Sequence, residues 1–330
     1  MLRLIAALLL LTACATPPAA LPASGPADAL IVDLDRQPDE TVRLWPASPP
    51  GGIPAGLAEH YVERANPYGL ADRALLEVTD PTLSVFRPAH PDGSAILIIP
   101  GGGYKWVVVE KEGYEGARWF SRRGATVYVM SYRLPQQGWA GGPDTPLQDA
   151  QRAMRVIRAR AGEDGIDPSR IMVMGFSAGG HVAGLLTTRF DANVYPATDA
   201  ADALPARPDA SVLVYPVITL SKPYTHAASR ENMIGADPSP DDVAAHSVET
   251  APPANAPPVF ILHAADDPAV PVENALMAYQ AFRAAGVPAS LHIFEHGGHG
   301  FGLRGIDDDP LHAWPKLVID WGRDAGIFRH

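Results

Sequence analysis

Two patterns of hydrophobic residues alternate along most of the chain. Ala95-Ile96-Leu97-Ile98-Ile99 is an unbroken apolar run, the mark of a strand buried on both faces. Thr126-Val127-Tyr128-Val129-Met130, Ile171-Met172-Val173-Met174, Ser211-Val212-Leu213-Val214-Tyr215, Val259-Phe260-Ile261-Leu262 and Ser290-Leu291-His292-Ile293-Phe294 repeat it, and Leu83-Ser84-Val85-Phe86 is an earlier, shorter example. Between the runs the apolar period lengthens. Leu147, Ala150, Met154, Ile157 and Ala161 are spaced by three and four, which puts one apolar stripe on a helix over about 146–161. Leu276, Tyr279 and Phe282 form a second stripe, and Trp314, Leu317, Val318 and Trp321 a third. Buried strands alternating with amphipathic helices predict an α/β fold: a mostly parallel central sheet with helices on both faces. In such sheets the site lies at the carboxyl ends of the strands.

The first seventy or so residues lack this pattern. Residues 15–40 are rich in Ala, Pro and Asp and read as a tether, and 44–74 read as loop over the domain surface, with regular structure starting near Leu75. The catalytic domain is assigned to 41–330. Met1-Leu2-Arg3 is a basic start, and the apolar run over 4–11 is too short to span a bilayer. Leu11-Thr12-Ala13-Cys14 resembles the lipobox of bacterial lipoproteins, so 1–14 is expected to direct export, with lipid on Cys14 and a periplasmic or outer-membrane location. Ordinary signal cleavage is the alternative, because Ala13-Cys14-Ala15 also fits an A-x-A site.

Composition narrows the partners. The 330 residues carry a formal net charge of −11, which argues against nucleic acid or an anionic membrane surface and favours a small, weakly charged substrate. Membrane contact is expected only through the N-terminal anchor. Cys14 is the one cysteine, so no intramolecular disulfide is possible.

The strongest chemical signal is Gly175-Phe176-Ser177-Ala178-Gly179-Gly180, between the strand ending near Met174 and a helical Ala/Val/Leu run. This is the G-x-S-x-G nucleophile elbow in its strand–turn–helix context. The glycines permit a turn tight enough to strain Ser177 and expose its hydroxyl. A serine needs a base, and the base needs an orienter, which in this arrangement follow in the order acid, then His. His263-Ala264-Ala265-Asp266-Asp267-Pro268 follows one strand and Glu295-His296-Gly297-Gly298-His299-Gly300-Phe301 the next. Asp266 and Asp267 compete for the acid, and His296 and His299 for the base. The glycines flanking His299 favour it, leaving His296 as a rim histidine. Pro100-Gly101-Gly102-Gly103-Tyr104 leaves backbone amides uncovered after a strand, so Gly102 and Gly103, with Ala178, are the candidate oxyanion donors. A phosphate-binding loop is rejected because Lys105 completes no P-loop.

Pro-Gly-Gly-Gly-Tyr at 100–104, Lys111-Glu112-Gly113, Ser131-Tyr132-Arg133-Leu134, Gly-Phe-Ser-Ala-Gly-Gly-His at 175–181, Asp267 to Pro271 and Gly-Gly-His-Gly-Phe at 297–301 together resemble the acetylxylan esterase and feruloyl esterase branch of the α/β hydrolases. That branch is related to the hormone-sensitive-lipase-like esterases. The resemblance runs from about Leu83 to the C-terminus. It implies hydrolysis of short acyl esters, often acetyl groups on plant polysaccharide, without metal or cofactor. The hydrolase turn Asp-x-x-Val-Pro matches Asp267-Pro268-Ala269-Val270-Pro271 and favours Asp267, leaving Asp266 as a turn former. Pro100 departs from the His of the lipase-like relatives, so their loop geometry does not carry over.

Around this core, Tyr104, Trp106, Glu112, Trp139 and Tyr224 are candidate substrate contacts, with aromatic faces suited to a sugar ring. The segment 219–257 is the expected cover, a small lid and not a separate domain, and His181 is expected to be a packed helix histidine. His292, His296 and His299 are close in sequence, but His292 falls within a strand and no H-E-x-x-H helix exists, so no metal is expected. The competing classes are a serine peptidase resembling the prolyl oligopeptidase catalytic domain, whose large N-terminal propeller has no counterpart here, and a non-catalytic envelope lipoprotein that keeps the fold for binding.

Overall fold

The computed structural model describes residues 29–329. The export and lipidation signals at 1–14 and most of the tether lie outside them. Ten strands occur in this range: β1 (Glu40–Arg43), β2 (His60–Glu63), β3 (Arg73–Leu76), β4 (Thr82–Phe86), β5 (Ala95–Ile99), β6 (Thr126–Met130), β7 (Ile171–Phe176), β8 (Ala210–Val214), β9 (Val259–Ala264) and β10 (Ala289–Phe294). Eight form one sheet in the order β1-β4-β6-β5-β7-β8-β9-β10, and β2 and β3 pair separately. β4 runs antiparallel to β1 and β6, and every pairing from β6 to β10 is parallel. Each apolar run read from the sequence is one of these strands, and β5 to β9 are buried at every residue.

The helices are α1 (Glu115–Ser121), α2 (Thr145–Ala159), α3 (Ala161–Asp164), α4 (Ala178–Thr188), α5 (Ala227–Ile234), α6 (Pro240–Ala245), α7 (Glu273–Ala284) and α8 (Trp314–Asp324). Period-2 alternation sends neighbouring strand residues to opposite faces. Leu97, Ile99 and Val173 join Leu147 and Met154 of α2, Val182 of α4 and Phe282 of α7 in one core. Ile96, Ile98, Met172 and Met174 join Phe120 of α1 and Trp314 and Val318 of α8 in the other. The predicted sheet with helices on both faces is therefore present. In α7 the fully buried apolar residues are Ala275, Ala278 and Phe282; of the stripe read from the sequence Phe282 is in the core, Tyr279 packs against it and Leu276 is exposed.

Two expectations fail at the N-terminal side. Leu30, within the range read as tether, is buried against the second core, so the tether does not reach residue 40. Among the described residues regular structure begins at β1, not near Leu75, and the 44–74 segment is not a surface loop throughout. Leu44 and Trp45 are fully buried, and Trp45 Nε1 donates to Asp149 Oδ1 at 2.9 Å. Asp149 in turn accepts from Arg133 in a pair with no solvent exposure. β1 is a four-residue edge strand with half-buried and exposed residues alternating, a pattern too short to separate from polar loop.

Candidate active site

The carboxyl ends of β5, β7, β9 and β10 carry the glycine loop, Ser177, Asp267 and His299. Ser177 stands between β7 and α4 with φ 53° and ψ −118°, a strained conformation for a residue with a Cβ. The neighbouring glycines permit it: a Cβ on Gly175 would collide with the carbonyl oxygen of Gly179, and one on Gly179 with that of Ile99. The elbow thus packs against the end of β5, where the glycine loop begins.

Ser177 Oγ lies 2.8 Å from His299 Nε2, and His299 Nδ1 lies 2.7 Å from Asp267 Oδ2. A carboxylate only accepts, so Nδ1–H donates to Asp267 and Nε2 is left to accept from the serine hydroxyl. Asp267 Oδ1 accepts from the amides of Ala269 and Val270, both at 2.9 Å. Burial pushes the Asp267 carboxyl up, but hydrogen bonds from His263 and His299 and from the Val270 amide outweigh it and hold the group well below the usual carboxylate range. Asp267 is therefore a fixed anion beside the imidazole, as an orienter requires. Asp266 is exposed and accepts from the Gly298 amide at 2.8 Å, so it braces the histidine loop without reaching the ring. His296 is exposed, beside Asp266 and Glu295. Of the two pairs, the geometry brings Asp267 and His299 to Ser177 and leaves Asp266 and His296 on the exposed side of the loop.

A cavity of about 300 Å³ opens over this chain, lined by Ser177, His299, Gly102, Gly103 and Trp106 among others. Gly102 and Gly103 have φ of 128° and 62°, conformations open to glycine. Ala178 begins α4 directly after the serine. From the 219–257 segment expected to cover the site, His226, Ala228 and Asn232 line the cavity. Asn232 Nδ2 donates to the Gly103 carbonyl at 2.7 Å, tying the cover to the glycine loop. Nothing in the sequence pattern singled out His226 or Asn232.

Glu112 lines the cavity but is already engaged. Its Oε2 accepts from the Gly101 amide at 2.8 Å and its Oε1 from the Tyr215 hydroxyl at 3.0 Å. The Tyr215 ring stands edge-on to His299, with centroids 5.1 Å apart. Glu112 thus braces both the glycine loop and the ring behind the base. Another residue missed from sequence is His263, buried on β9, whose Nε2 donates to the Val270 carbonyl at 2.9 Å and lies 3.3 Å from Asp267 Oδ2. The turn motif drew attention to its carboxylates and not to the strand residue beneath them.

Three of the five candidate substrate contacts do not line the cavity. Tyr104 is fully buried, with its hydroxyl on His181 Nδ1 at 2.6 Å. Trp139 is buried with the Arg133 guanidinium 5.0 Å from its ring centroid. Tyr224 is exposed, and it is its carbonyl that is used, accepting from Asn274 Nδ2. Position near a site in sequence does not fix side-chain direction, and here each ring faces core or solvent. Trp106 and Glu112 remain in the cavity wall. His181 is buried and hydrogen-bonded at both nitrogens, as expected.

The profile of the BD-FAE family matches residues 83–282. The chain is 37% identical over 234 residues to endo-1,4-beta-xylanase B of Butyrivibrio fibrisolvens, covering 70% of this chain and 36% of that protein. It is 35% identical over 222 residues to the acetylxylan esterase of Xylanibacter ruminicola, covering 66% and 43%. It therefore spans less than half the length of both curated relatives. Among solved structures it is similar to the acetyl ester-xyloside bifunctional hydrolase of Caldicellulosiruptor lactoaceticus, with a TM-score of 0.72, 34% identity and coverage of 88% of this chain and 98% of that one. Elbow, sheet order and family profile agree: the chain belongs to the BD-FAE family of α/β-hydrolase esterases.

Proposed function

We propose that the protein is a serine carboxylic-ester hydrolase that removes short acyl groups, acetyl above all, from xylan or related saccharides. The observation that carries this reading is the unbroken hydrogen-bond chain from Ser177 through His299 to Asp267 beneath an open cavity. Ser177 Oγ attacks the ester carbonyl carbon as its proton passes to His299 Nε2. The resulting oxyanion is held by the amides of Gly102, Gly103 and Ala178. His299 then gives its proton to the departing alcohol oxygen as that C–O bond breaks, leaving an acyl-serine. Water repeats the sequence and releases the carboxylic acid. Asp267 keeps the imidazole in the tautomer both halves need.

The size of the cavity, at the lower end of the roughly 300–1,000 Å³ usual for small-molecule sites, supports a short acyl group. The relatives named for acetylxylan and xyloside chemistry support a saccharide alcohol. Acetate release from acetylated xylan, acetylated monosaccharides and 4-nitrophenyl acetate tests the proposal. Release from all three is expected, whereas cleavage of proline-containing peptide amides in their place would assign a peptidase.

We also propose export with lipid on Cys14, on the strength of the Leu11-Thr12-Ala13-Cys14 sequence. In a bacterial host, Cys14→Ala should move the protein from the membrane to the soluble fraction. An unchanged distribution would reject the anchor.

A further inference from the structure

The cavity mouth is positive on a protein whose formal net charge is −11. Arg64, Lys105 and Lys111 all line it. The Arg64 guanidinium and the Lys105 ammonium lie over the Trp106 indole, 5.3 and 4.7 Å from its ring centroid. Lys111 reaches further in. Its Nζ stands 3.6 Å from where a Cβ on Gly300, the residue after His299, would be.

These charges are poorly compensated within the protein. The ion pair of Arg64 with Asp72 is long, at 3.8 Å. Lys105 and Lys111 have no ion-pair partner among the described residues. The one carboxylate in the cavity wall, Glu112, is bonded to the Gly101 amide and the Tyr215 hydroxyl and offsets one charge, which leaves the wall net positive. Cations gathered at a concave, partly desolvated surface repel one another and raise the local concentration of anions. A neutral ester gains nothing from them, while an ester that also carries an anion gains at each.

We infer that the cavity takes acyl esters whose non-reacting portion bears a carboxylate, an acylated uronic-acid saccharide being the fitting class, with Arg64, Lys105 and Lys111 as the recognising cations. This departs from the weakly charged substrate that net charge alone suggests, and it rests on the esterase reading of the site. The overall charge averages over a surface that the substrate never meets.

The test compares acetate release from an acetylated methyl glucuronide with release from the same sugar whose carboxylate is capped as a methyl ester. At low salt the free acid should be preferred about tenfold in kcat/KM, mainly through KM. The preference should shrink toward unity at about 1 M salt, where the screening length falls to about 3 Å. Lys105→Gln and Lys111→Gln together should collapse the ratio, whereas Lys316→Gln, the same charge change on α8, should leave it intact. Equal kcat/KM for acid and capped sugar, or a ratio indifferent to the double substitution, would overturn the inference. Those outcomes differ from failure of the esterase reading, in which neither sugar nor 4-nitrophenyl acetate is hydrolysed.

Discussion

The Tyr104 hydroxyl donates a 2.6 Å hydrogen bond to Nδ1 of His181, joining the glycine loop to the helix that begins at the elbow serine. The direction follows from the other ring nitrogen. His181 Nε2 faces the His246 carbonyl at 2.7 Å, and a carbonyl cannot donate, so Nε2 carries the hydrogen and Nδ1 accepts. Tyr104 itself has φ 59°, a conformation uncommon for a residue with a side chain. Burial and this one bond hold it there. The bond thus fixes Gly102 and Gly103, just upstream, relative to Ser177.

Tyr104→Phe removes the bond and leaves a buried acceptor unsatisfied, at a cost of about 1–3 kcal/mol. Melting temperature should fall by several degrees, and kcat on 4-nitrophenyl acetate should fall more than KM rises, because the loosened loop presents the proposed oxyanion donors less well. A variant that melts lower yet keeps full kcat would show that the bond serves stability alone.

The same histidine couples stability to pH. Burial above all pushes the His181 imidazole down to about 3, whereas in the unfolded chain an imidazole titrates near ~6.5. Between those values the unfolded state binds a proton that the folded state refuses. The contribution of His181 is therefore intact above about pH 6.5 and is lost progressively as pH falls toward 3, with a slope approaching about 1.4 kcal/mol per pH unit. His181→Gln should melt lower than wild type at neutral pH and yet lose less on acidification. Parallel melting curves for the two proteins would contradict this.

Asp267 and Asp266 are adjacent but unequal. Asp267→Asn disturbs the only carboxylate on His299 Nδ1 among the described residues and should lower kcat by about 10⁴, the scale expected when the imidazole loses its enforced tautomer. Asp266→Asn keeps an oxygen for the Gly298 amide and should change kcat only a few-fold. Steady-state kinetics on one aryl ester separates the two, and the reverse ranking would transfer the orienting role.

Glu112→Gln should act at a distance from the reacting atoms. A carboxamide in place of the carboxylate turns one acceptor into a donor that faces either the Gly101 amide or the Tyr215 hydroxyl. Losing such a charge-assisted bond costs about 1.5–3 kcal/mol, so kcat should fall by one to two orders of magnitude if both contacts position the loop in the transition state. An unchanged kcat would reduce Glu112 to a packing role.

What the sequence disclosed followed from how strongly each feature is written in it. Five-residue apolar runs such as 95–99 and 126–130 have few readings other than buried strands, and the elbow glycines are dictated by backbone collisions, so sheet and serine were both legible. β1 was not, because four alternating residues at a sheet edge resemble polar loop. Tyr104 and Trp139 were misassigned because chain position brings a backbone near a site while packing turns the ring: toward His181 in one case and Arg133 in the other. His226 and Asn232 reach the cavity from a segment distant in sequence, and His263 bonds back to its own turn at Val270 and Asp267, contacts that no apolar period records.

The most direct test of the account is whether one serine becomes covalently modified. After brief exposure to diethyl 4-nitrophenyl phosphate, intact-mass and peptide analysis should find a single diethylphosphoryl group on Ser177, none on Ser177→Ala, and ester turnover lost in step with labelling. An unmodified Ser177 in protein that still cleaves 4-nitrophenyl acetate, or equal labelling of Ser177→Ala, would contradict it.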